Sequence, residues 1–153
     1  MSKPSYTVRQ ATPADAETLS GFVYELLSEL SDGEELDRNI IADSARQLLP
    51  MATVTGLLAF RGSEPVGAMM LNECAAIYAG GRFAEISELY VRPEHRSFGV
   101  ASQLVSAATE LAGARGWKRL EVGAPHQPEW ERSLKFYLRE GFEEIGPRLR
   151  KRT

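Results

Sequence analysis

Three runs of strand-forming residues follow one another in the middle of the chain and constrain its fold more than any other feature. They span residues 54–60, 66–73 (extending toward Tyr78) and 83–91, and short segments containing glycine or proline separate them. Apolar and β-branched residues bounded by such turn residues are typical of strands. Because short connections join antiparallel neighbours, the pattern predicts a three-stranded antiparallel meander.

Helical patterns lie on both sides of this meander in the chain. An amphipathic run follows the start signal at residues 12–15 and continues to Leu30, and a second run stops at Pro50. The remaining predicted elements are a strand at 6–10, a helix at 99–115, a strand at 118–122, a helix around 130–140 and final strands at 141–145 and 148–151. This order predicts a single α+β domain over residues 1–153, with a central mixed, mostly antiparallel sheet of about seven strands flanked by about four helices.

Charge is divided unevenly along the chain, although the net charge is only −3. Residues 1–90 hold 6 Lys and Arg against 13 Asp and Glu, a net of −7, whereas residues 91–153 hold 12 against 8, a net of +4. This division suits a protein that handles a cationic and an anionic ligand together, and it is equally compatible with ordinary solvated surfaces. Basic residues without interleaved aromatics make a poor footprint for nucleic acid, so binding to nucleic acid is not expected.

Cysteine content and hydropathy bound the cellular location. Cys74 is the only cysteine, which excludes an internal disulfide and a multi-cysteine zinc site, and no metal is expected. No stretch approaches the roughly 20 apolar residues of a membrane span, and the start of the chain lacks an apolar signal region. These features predict a cytoplasmic protein without membrane contact, in which Cys74 is a small buried hydrophobe.

The segment between the meander and the helix at 99–115 carries more positive charge than a turn needs. A helix start exposes backbone N–H groups without intrahelical partners and carries about half a positive charge, so it attracts anions. The missing Cβ of Gly99 would let a phosphate approach the amides of Phe98, Gly99, Val100 and Ala101, with Arg96 adding a full charge. Because neither G-x-G-x-x-G nor G-K-[ST] is present, the loop predicts a pyrophosphate site outside the standard dinucleotide and ATP motifs. The competing interpretation is a plain turn at the helix start.

Two motifs in this half of the chain resemble one enzyme family. Arg96-x-x-Gly99-x-Ala101 resembles the acyl-CoA signature R/Q-x-x-G-x-G/A of the GCN5-related N-acetyltransferases (GNAT superfamily), and FYLREGF at 136–142 is similar to the family's FY-x-x-x-GF segment. The resemblance implies a GNAT-like fold whose sheet is splayed between its fourth and fifth strands. It also implies acetyl-CoA as co-substrate and direct transfer of the acetyl group to a primary amine, without a covalent enzyme intermediate.

The resemblance further implies where the coenzyme binds. The backbone of residues 89–91 would hydrogen-bond the pantetheine arm as a neighbouring strand does. The diphosphate would lie on the amides that open the helix, with Arg96 over it. The cofactor-binding residues expected on this basis are Leu89, Tyr90, Val91, Arg96, Ser97, Phe98, Gly99, Val100, Ala101, Ser102 and Ser133. Many relatives carry an asparagine where this chain has Ser133, so that position departs from the family pattern.

Two glutamates on the third meander strand are candidates for the catalytic base. An amine with a pKa near ~10.4 is an ammonium ion at pH 7, so a base must remove a proton before it attacks. FAEI at 83–86 resembles the stretch that carries the base in protein-acetylating members of the family, which favours Glu85 over Glu88. Strict alternation puts these carboxylates on opposite faces because they are three residues apart. A β-bulge, which the family shows here, would direct both into one cleft.

Tyr137 is the candidate that protonates or hydrogen-bonds the departing CoA thiolate. Because a phenol has a reference pKa of about 10 and a thiol about 8.5, full proton transfer is uphill by roughly 2 kcal/mol, and hydrogen bonding alone is the alternative. The Val91 N–H is the candidate donor to the tetrahedral oxyanion. The competing interpretation of Tyr137 is a core aromatic on an amphipathic helix.

Other features of the sequence leave alternatives open. His95 and His126 are interpreted as loop residues rather than bases, and the acidic run at 28–37 either attracts a cationic amine or forms a solvated turn. A non-catalytic acyl-CoA sensor and an interaction domain that uses the acidic face are the alternatives to an enzyme. The acceptor, a small-molecule or peptide amine, is unidentified, and the resemblance is compatible with a homodimer.

Overall fold

The computed structural model describes residues 4–31, 35–123 and 131–153, and nine helices and strands organise that part of the chain. Short 3₁₀ turns at Pro13–Asp15 and Pro93–His95 precede α1 and the loop before α3. The main elements are β1 (Thr7–Gln10), α1 (Ala16–Leu30), α2 (Arg38–Leu48), β2 (Val54–Arg61), β3 (Glu64–Ala76), β4 (Gly81–Val91), α3 (Val100–Arg115), β5 (Leu120–Val122) and α4 (Glu131–Arg139).

The strands form one mixed sheet in the order β1-β2-β3-β4-β5. The first three pairings are antiparallel, which confirms the predicted meander, and β5 pairs with β4 in parallel. Parallel pairing requires a crossover connection, and α3 provides it. The α+β class and the mostly antiparallel sheet predicted from the sequence are confirmed.

Both faces of the sheet are covered, which explains the continuous apolar runs in β2 and β3. One set of alternating residues packs against α3 and forms a core with Met69, Leu71 and Leu104. The other set packs against α1, where Met70 and Tyr90 belong to a second buried cluster. The alternation assigns each residue of β3 and β4 to either the α3 side or the α1 side.

The two final strands predicted from the sequence are not formed. No strand follows α4 in the described residues, so the sheet there has five strands rather than about seven. Phe142 packs against the core, but Ile145 and Leu149 are 68% and 95% exposed, so residues 143–153 bury no apolar face that would hold them on the sheet. A strand also needs a partner for its backbone groups, and β5 pairs through three residues only.

Local capping explains where the 3₁₀ turn before α1 and helix α2 begin. The Asp15 carboxylate accepts the Thr12 N–H at 2.8 Å, and the Asp37 carboxylate accepts the N–H groups of Asn39 and Ile40 at 2.9 and 3.4 Å. Asp37 therefore caps α2, although the sequence analysis placed it in a general acidic run. No helix in the described residues is long and apolar enough to cross a membrane.

Candidate active site

A β-bulge interrupts the pairing of β4 with β3. Met70 pairs with Glu88 and Leu71 pairs with Ile86, so Ser87 is an extra residue without a partner of its own on β3. Because of this extra residue, Glu85 and Glu88 point to the same face of the sheet despite their spacing. The bulge that the family resemblance implied is present, and it brings both candidate bases together.

That shared face is the one covered by α1. Glu88 lies opposite Met70, and Tyr90 lies opposite Ala68, and these two partners belong to the α1 cluster. The Tyr90 ring also lies 6.0 Å from the ring of Phe22 on α1. The two carboxylates therefore project from the face of the sheet that α1 covers.

Glu88 is half-buried, and its surroundings change its acidity. Burial raises the pKa of its carboxyl group, a hydrogen bond from Ser87 lowers it, and the neighbouring Glu85 charge raises it. The net direction is upward. The Ser87 hydroxyl donates to the Glu88 carboxylate, so the bulged residue also orients this side chain.

Glu85 is engaged by an arginine that the sequence analysis did not single out. The Arg148 Nη1 donates to Glu85 Oε1 at 2.8 Å. The two residues are 63 positions apart, and Arg148 lies in the segment predicted as a strand. No motif marked this contact, because it depends on the path of the chain after α4.

The two strands of the predicted splay part just beyond the bulge. Pairing of β4 with β5 ends at Ile86 and Val122, whereas β4 continues to Val91. No described residue of β5 pairs with the last five residues of β4. The backbone of Leu89, Tyr90 and Val91, where the pantetheine arm was predicted, pairs with β3 on one edge and with no described residue of β5 on the other.

The loop before α3 has the backbone geometry of an anion site. Ser97 and Gly99 both have left-handed backbones, with φ values of 68° and 84°. Left-handed residues within a turn direct successive N–H groups into one concavity, which favours an anion. Gly99 is the N-cap residue of α3, and the Gln103 N–H bonds the Gly99 carbonyl at 3.0 Å, so the amides of Val100 to Ser102 precede the first helical bond.

Arg96 faces α1 in the structure. Its guanidinium bonds both oxygens of Glu29 at 2.8 and 3.0 Å, its Nε donates to the Val91 carbonyl at 2.8 Å, and it lies 5.4 Å from the Tyr90 ring. Part of the acidic run at 28–37 thus neutralises the cation that was expected to cover a diphosphate. That expected role of Arg96 stays a prediction.

A buried contact between Tyr6 and His95 holds this loop against the start of the chain. His95 is buried, and its Nδ1 lies 3.1 Å from the Tyr6 hydroxyl, with the two rings edge to face. The sequence analysis interpreted His95 as a loop residue rather than a base. Its buried contact assigns it a structural role in holding the loop, and His126 lies outside the described residues.

Helix α4 approaches the start of α3. The Ser102 hydroxyl donates to the Glu140 carboxylate at 2.9 and 3.1 Å. Tyr137 lies one turn earlier on α4, is half-buried, and stacks edge to face on Phe136 and Phe142. Burial raises the pKa of Tyr137 to about 12. Ser133, one turn earlier again, is half-buried on the same helix.

Cys74 lies on the same face of the sheet as Glu85. Asn72 pairs with Glu85, and Cys74 is two positions after Asn72 on β3, so the three side chains share that face. It is half-buried rather than fully buried as the sequence predicted. Burial, followed by the charge of Glu85, raises the pKa of its thiol. The thiol is therefore disfavoured as a nucleophile.

Comparison with known proteins gives a consistent family assignment. The profile of the acetyltransferase (GNAT) family matches residues 22–142 of the chain. The chain is 30% identical over 148 residues to an aminoalkylphosphonate N-acetyltransferase of Salmonella typhimurium strain LT2, covering 97% of this chain and 92% of the relative. It is 29% identical over 119 residues to a thialysine N-epsilon-acetyltransferase of Caenorhabditis elegans, covering 76% of this chain and 71% of the relative.

Structural comparison agrees with this assignment. A solved aminoglycoside N-acetyltransferase in complex with CoA has a TM-score of 0.77 and 18% sequence identity, over 97% of this chain and 95% of that one. At this identity the likeness shows a shared fold. Taken with the match over residues 22–142 and the two N-acetyltransferase relatives, it leads to one conclusion: the chain belongs to the acetyltransferase (GNAT) family and is an N-acetyltransferase.

Proposed function

We propose that this N-acetyltransferase moves an acetyl group from acetyl-CoA to a small-molecule primary amine, by direct attack of the amine nitrogen on the thioester carbon. The observation that carries the proposal is the bulge at Ser87, which directs Glu85 and Glu88 to one face, beside the end of β4 that pairs with no described residue of β5. The relatives' names, with thialysine and aminoalkylphosphonate as acceptors, support a small molecule over a peptide. A cytoplasmic location, expected from the sequence, is part of the proposal.

Coenzyme binding would use backbone groups more than side chains. The left-handed turn at Ser97 and Gly99, followed by the start of α3, supports a diphosphate site. The edge of residues 89–91 that faces away from β3 pairs with no described residue of β5, which supports a strand-like contact with the pantetheine arm. In this proposal the backbone of Arg96 belongs to the diphosphate site. Its guanidinium contacts the diphosphate only after it leaves Glu29.

Glu88 is the base in this proposal, in preference to Glu85. A carboxylate with a raised pKa is a stronger base. The difference between its pKa and that of an amine, near ~10.4, is therefore smaller. Glu85 Oε1 instead accepts a hydrogen bond from Arg148 Nη1 at 2.8 Å, so this carboxylate is already engaged by another side chain. The ammonium ion of the acceptor gives one proton to the Glu88 carboxylate, directly or through water, and the neutral amine then attacks the thioester carbon. The nitrogen of the tetrahedral intermediate gives its second proton to water as the C–S bond breaks.

Tyr137 would act as a hydrogen-bond donor to the leaving thiolate. With its pKa at about 12 against about 8.5 for a thiol, full proton transfer is uphill by roughly 5 kcal/mol. The phenol stays protonated across the physiological pH range. It therefore lends a hydrogen bond while the C–S bond breaks, and the thiolate leaves as CoA–S⁻ or takes its proton from water.

Two substitutions should move the pKa of Glu88 in opposite directions. In Glu85→Gln the loss of a neighbouring negative charge should lower it, and in Ser87→Ala the loss of a hydrogen bond to the carboxylate should raise it. Carbon-13 NMR titration of the glutamate carboxyl groups measures both, with Glu88→Gln identifying the signal. Shifts of the same sign in the two variants would contradict this account of the Glu88 environment.

A thiol-release assay tests the proposed activity. Acetyl-CoA should yield free CoA in the presence of small primary amines, and the chain should melt at a higher temperature with CoA because a ligand stabilises the state that binds it. Stabilisation by CoA without thiol release from any amine would favour the non-catalytic sensor. No stabilisation would refute the coenzyme site itself.

A further inference from the structure

Arg148, in the segment after α4, contacts the sheet. Besides donating to Glu85, the Arg148 side chain lies against the backbone at Gly123. A Cβ at position 123 would stand 2.9 Å from Arg148 Cδ and 3.0 Å from its Nη1, so a larger residue there would displace the arginine. The guanidinium therefore lies in a space that a glycine leaves open, between a β4 side chain and the end of β5.

This position is the point where the two strands part. Gly123 is one residue beyond the last pair of β4 and β5, Ile86 with Val122. Glu85 and Glu121 pair across the two strands, so both side chains share the face on which Glu88 lies. Arg148 thus brings a positive charge to the point where the strands part, on the face that carries Glu85, Glu88 and Glu121.

Arg119 and Arg148 each bond a carboxylate of the paired residues Glu85 and Glu121, and they have different surroundings. Arg119 bonds Glu121 at 2.9 Å and lies 4.8 Å from the Tyr78 ring, toward the tip of the β3–β4 hairpin. Arg148 is at the opposite end of β5, near the bulge that orients Glu88. Of these two, Arg148 is the one placed beside the proposed reaction centre.

We propose that Arg148 binds an anionic group of the acceptor, a carboxylate or a phosphonate, while Glu88 receives the proton of the acceptor's amine. The acceptor class is then a small zwitterionic amine. This inference rests on the proposed function and narrows it.

The chemistry of arginine supports this assignment. A guanidinium presents five N–H donors in a planar fork that matches carboxylate and phosphonate oxygens, and the contact with Glu85 uses the Nη1 end. By pairing with Glu85 it also offsets a negative charge that would repel an anionic group. The surrounding carboxylates attract the ammonium end of the same molecule, so the site matches both charges of a zwitterion.

The spacing on the strand limits the size of the acceptor. Because Ser87 is bulged, Glu85 and Glu88 occupy successive same-face positions, roughly 7 Å apart along the strand. An amine at Glu88 and an anion beside Glu85 would then be separated by about two to four carbons. Amino acids and aminoalkyl phosphonates of that length fit the spacing.

The test compares acceptors that differ only in the anionic group. Propylamine, β-alanine and 2-aminoethylphosphonate are assayed by thiol release with the full chain, as wild type and as Arg148→Gln, Arg148→Lys and Arg119→Gln. Wild type should prefer at least one anionic amine over propylamine in kcat/KM by about 10–100-fold, chiefly through KM. Arg148→Gln should bring that ratio close to one, Arg148→Lys should restore part of it, and the matched Arg119→Gln should keep it.

The outcomes separate this inference from the function on which it rests. Absence of thiol release from every amine, with wild type, would refute the proposed function. Release from propylamine at least as efficient as from both anionic amines would overturn the inference alone. An equal loss with all three amines in Arg148→Gln would assign the arginine a structural role and would also overturn it. The phosphonate and the carboxylate arms show which anion is selected.

Discussion

Replacing Glu88 by glutamine should lower kcat/KM by about 10²–10⁴-fold, the range that a general base contributes. The amide has nearly the shape of the carboxylate but accepts no proton at neutral pH. Its loss should appear in kcat as well as in kcat/KM, because proton removal belongs to the chemical step. Steady-state thiol release with a saturating amine measures both constants.

The comparison variant is Glu85→Gln, which removes the other carboxylate from the same face. Its loss should be much smaller than that of Glu88→Gln, and the motif-based preference for Glu85 predicts the reverse order. The fold should survive in Glu88→Gln, because burial disfavours the charged form of this group and glutamine carries no charge. An unchanged melting temperature together with a small kinetic loss would remove Glu88 from the role of base.

Replacing Gly99 by valine should weaken acetyl-CoA binding by about tenfold or more. The backbone at Gly99 has φ 84°, which a β-branched residue adopts only at a cost of roughly 1–3 kcal/mol, so the loop would rearrange and its amides would no longer converge. In the structure a Cβ at this position meets no atom within 4 Å, so the expected effect is on the loop rather than on core packing. Isothermal titration calorimetry with acetyl-CoA measures it.

Gly113→Ala supplies the matched control in the same helix. Gly113 lies inside α3, and a Cβ there also meets nothing within 4 Å. Alanine should raise stability by about 0.5–1 kcal/mol through helix propensity and leave coenzyme affinity unchanged. Equal affinities of Gly99→Val and wild type would show that the loop does not hold the diphosphate.

Local patterns predicted most of the fold, and long-range contacts explain what they missed. The meander and α3 follow from apolar periodicity and turn residues near in sequence, including the glycines that flank α3. The prediction of the last two strands was wrong, because a strand needs the edge of a neighbouring strand to pair with and an apolar face to bury. Those conditions are set by the whole sheet and cannot be read from residues 141–153.

The candidate site divides in the same way. The backbone shape of the loop before α3 was predictable because its glycine and the helix start are adjacent in the chain, and its use as an anion site stays a prediction. The bulge at Ser87 was expected from the family resemblance, since alternation alone argues against it. The pairings of Arg148 with Glu85 and of Arg96 with Glu29 join residues 63 and 67 positions apart, and no spacing rule links them.

The contact between Tyr6 and His95 joins residues 89 positions apart, and it ties the residue before the first strand to the loop before α3. Regions that share buried contacts tend to open and close together as one cooperative unit. A chain that has not yet docked its first strand would therefore lack a firmly shaped anion loop, even with α3 complete. Competence to hold a coenzyme would then depend on the packing of Tyr6, before β1, against His95, after β4.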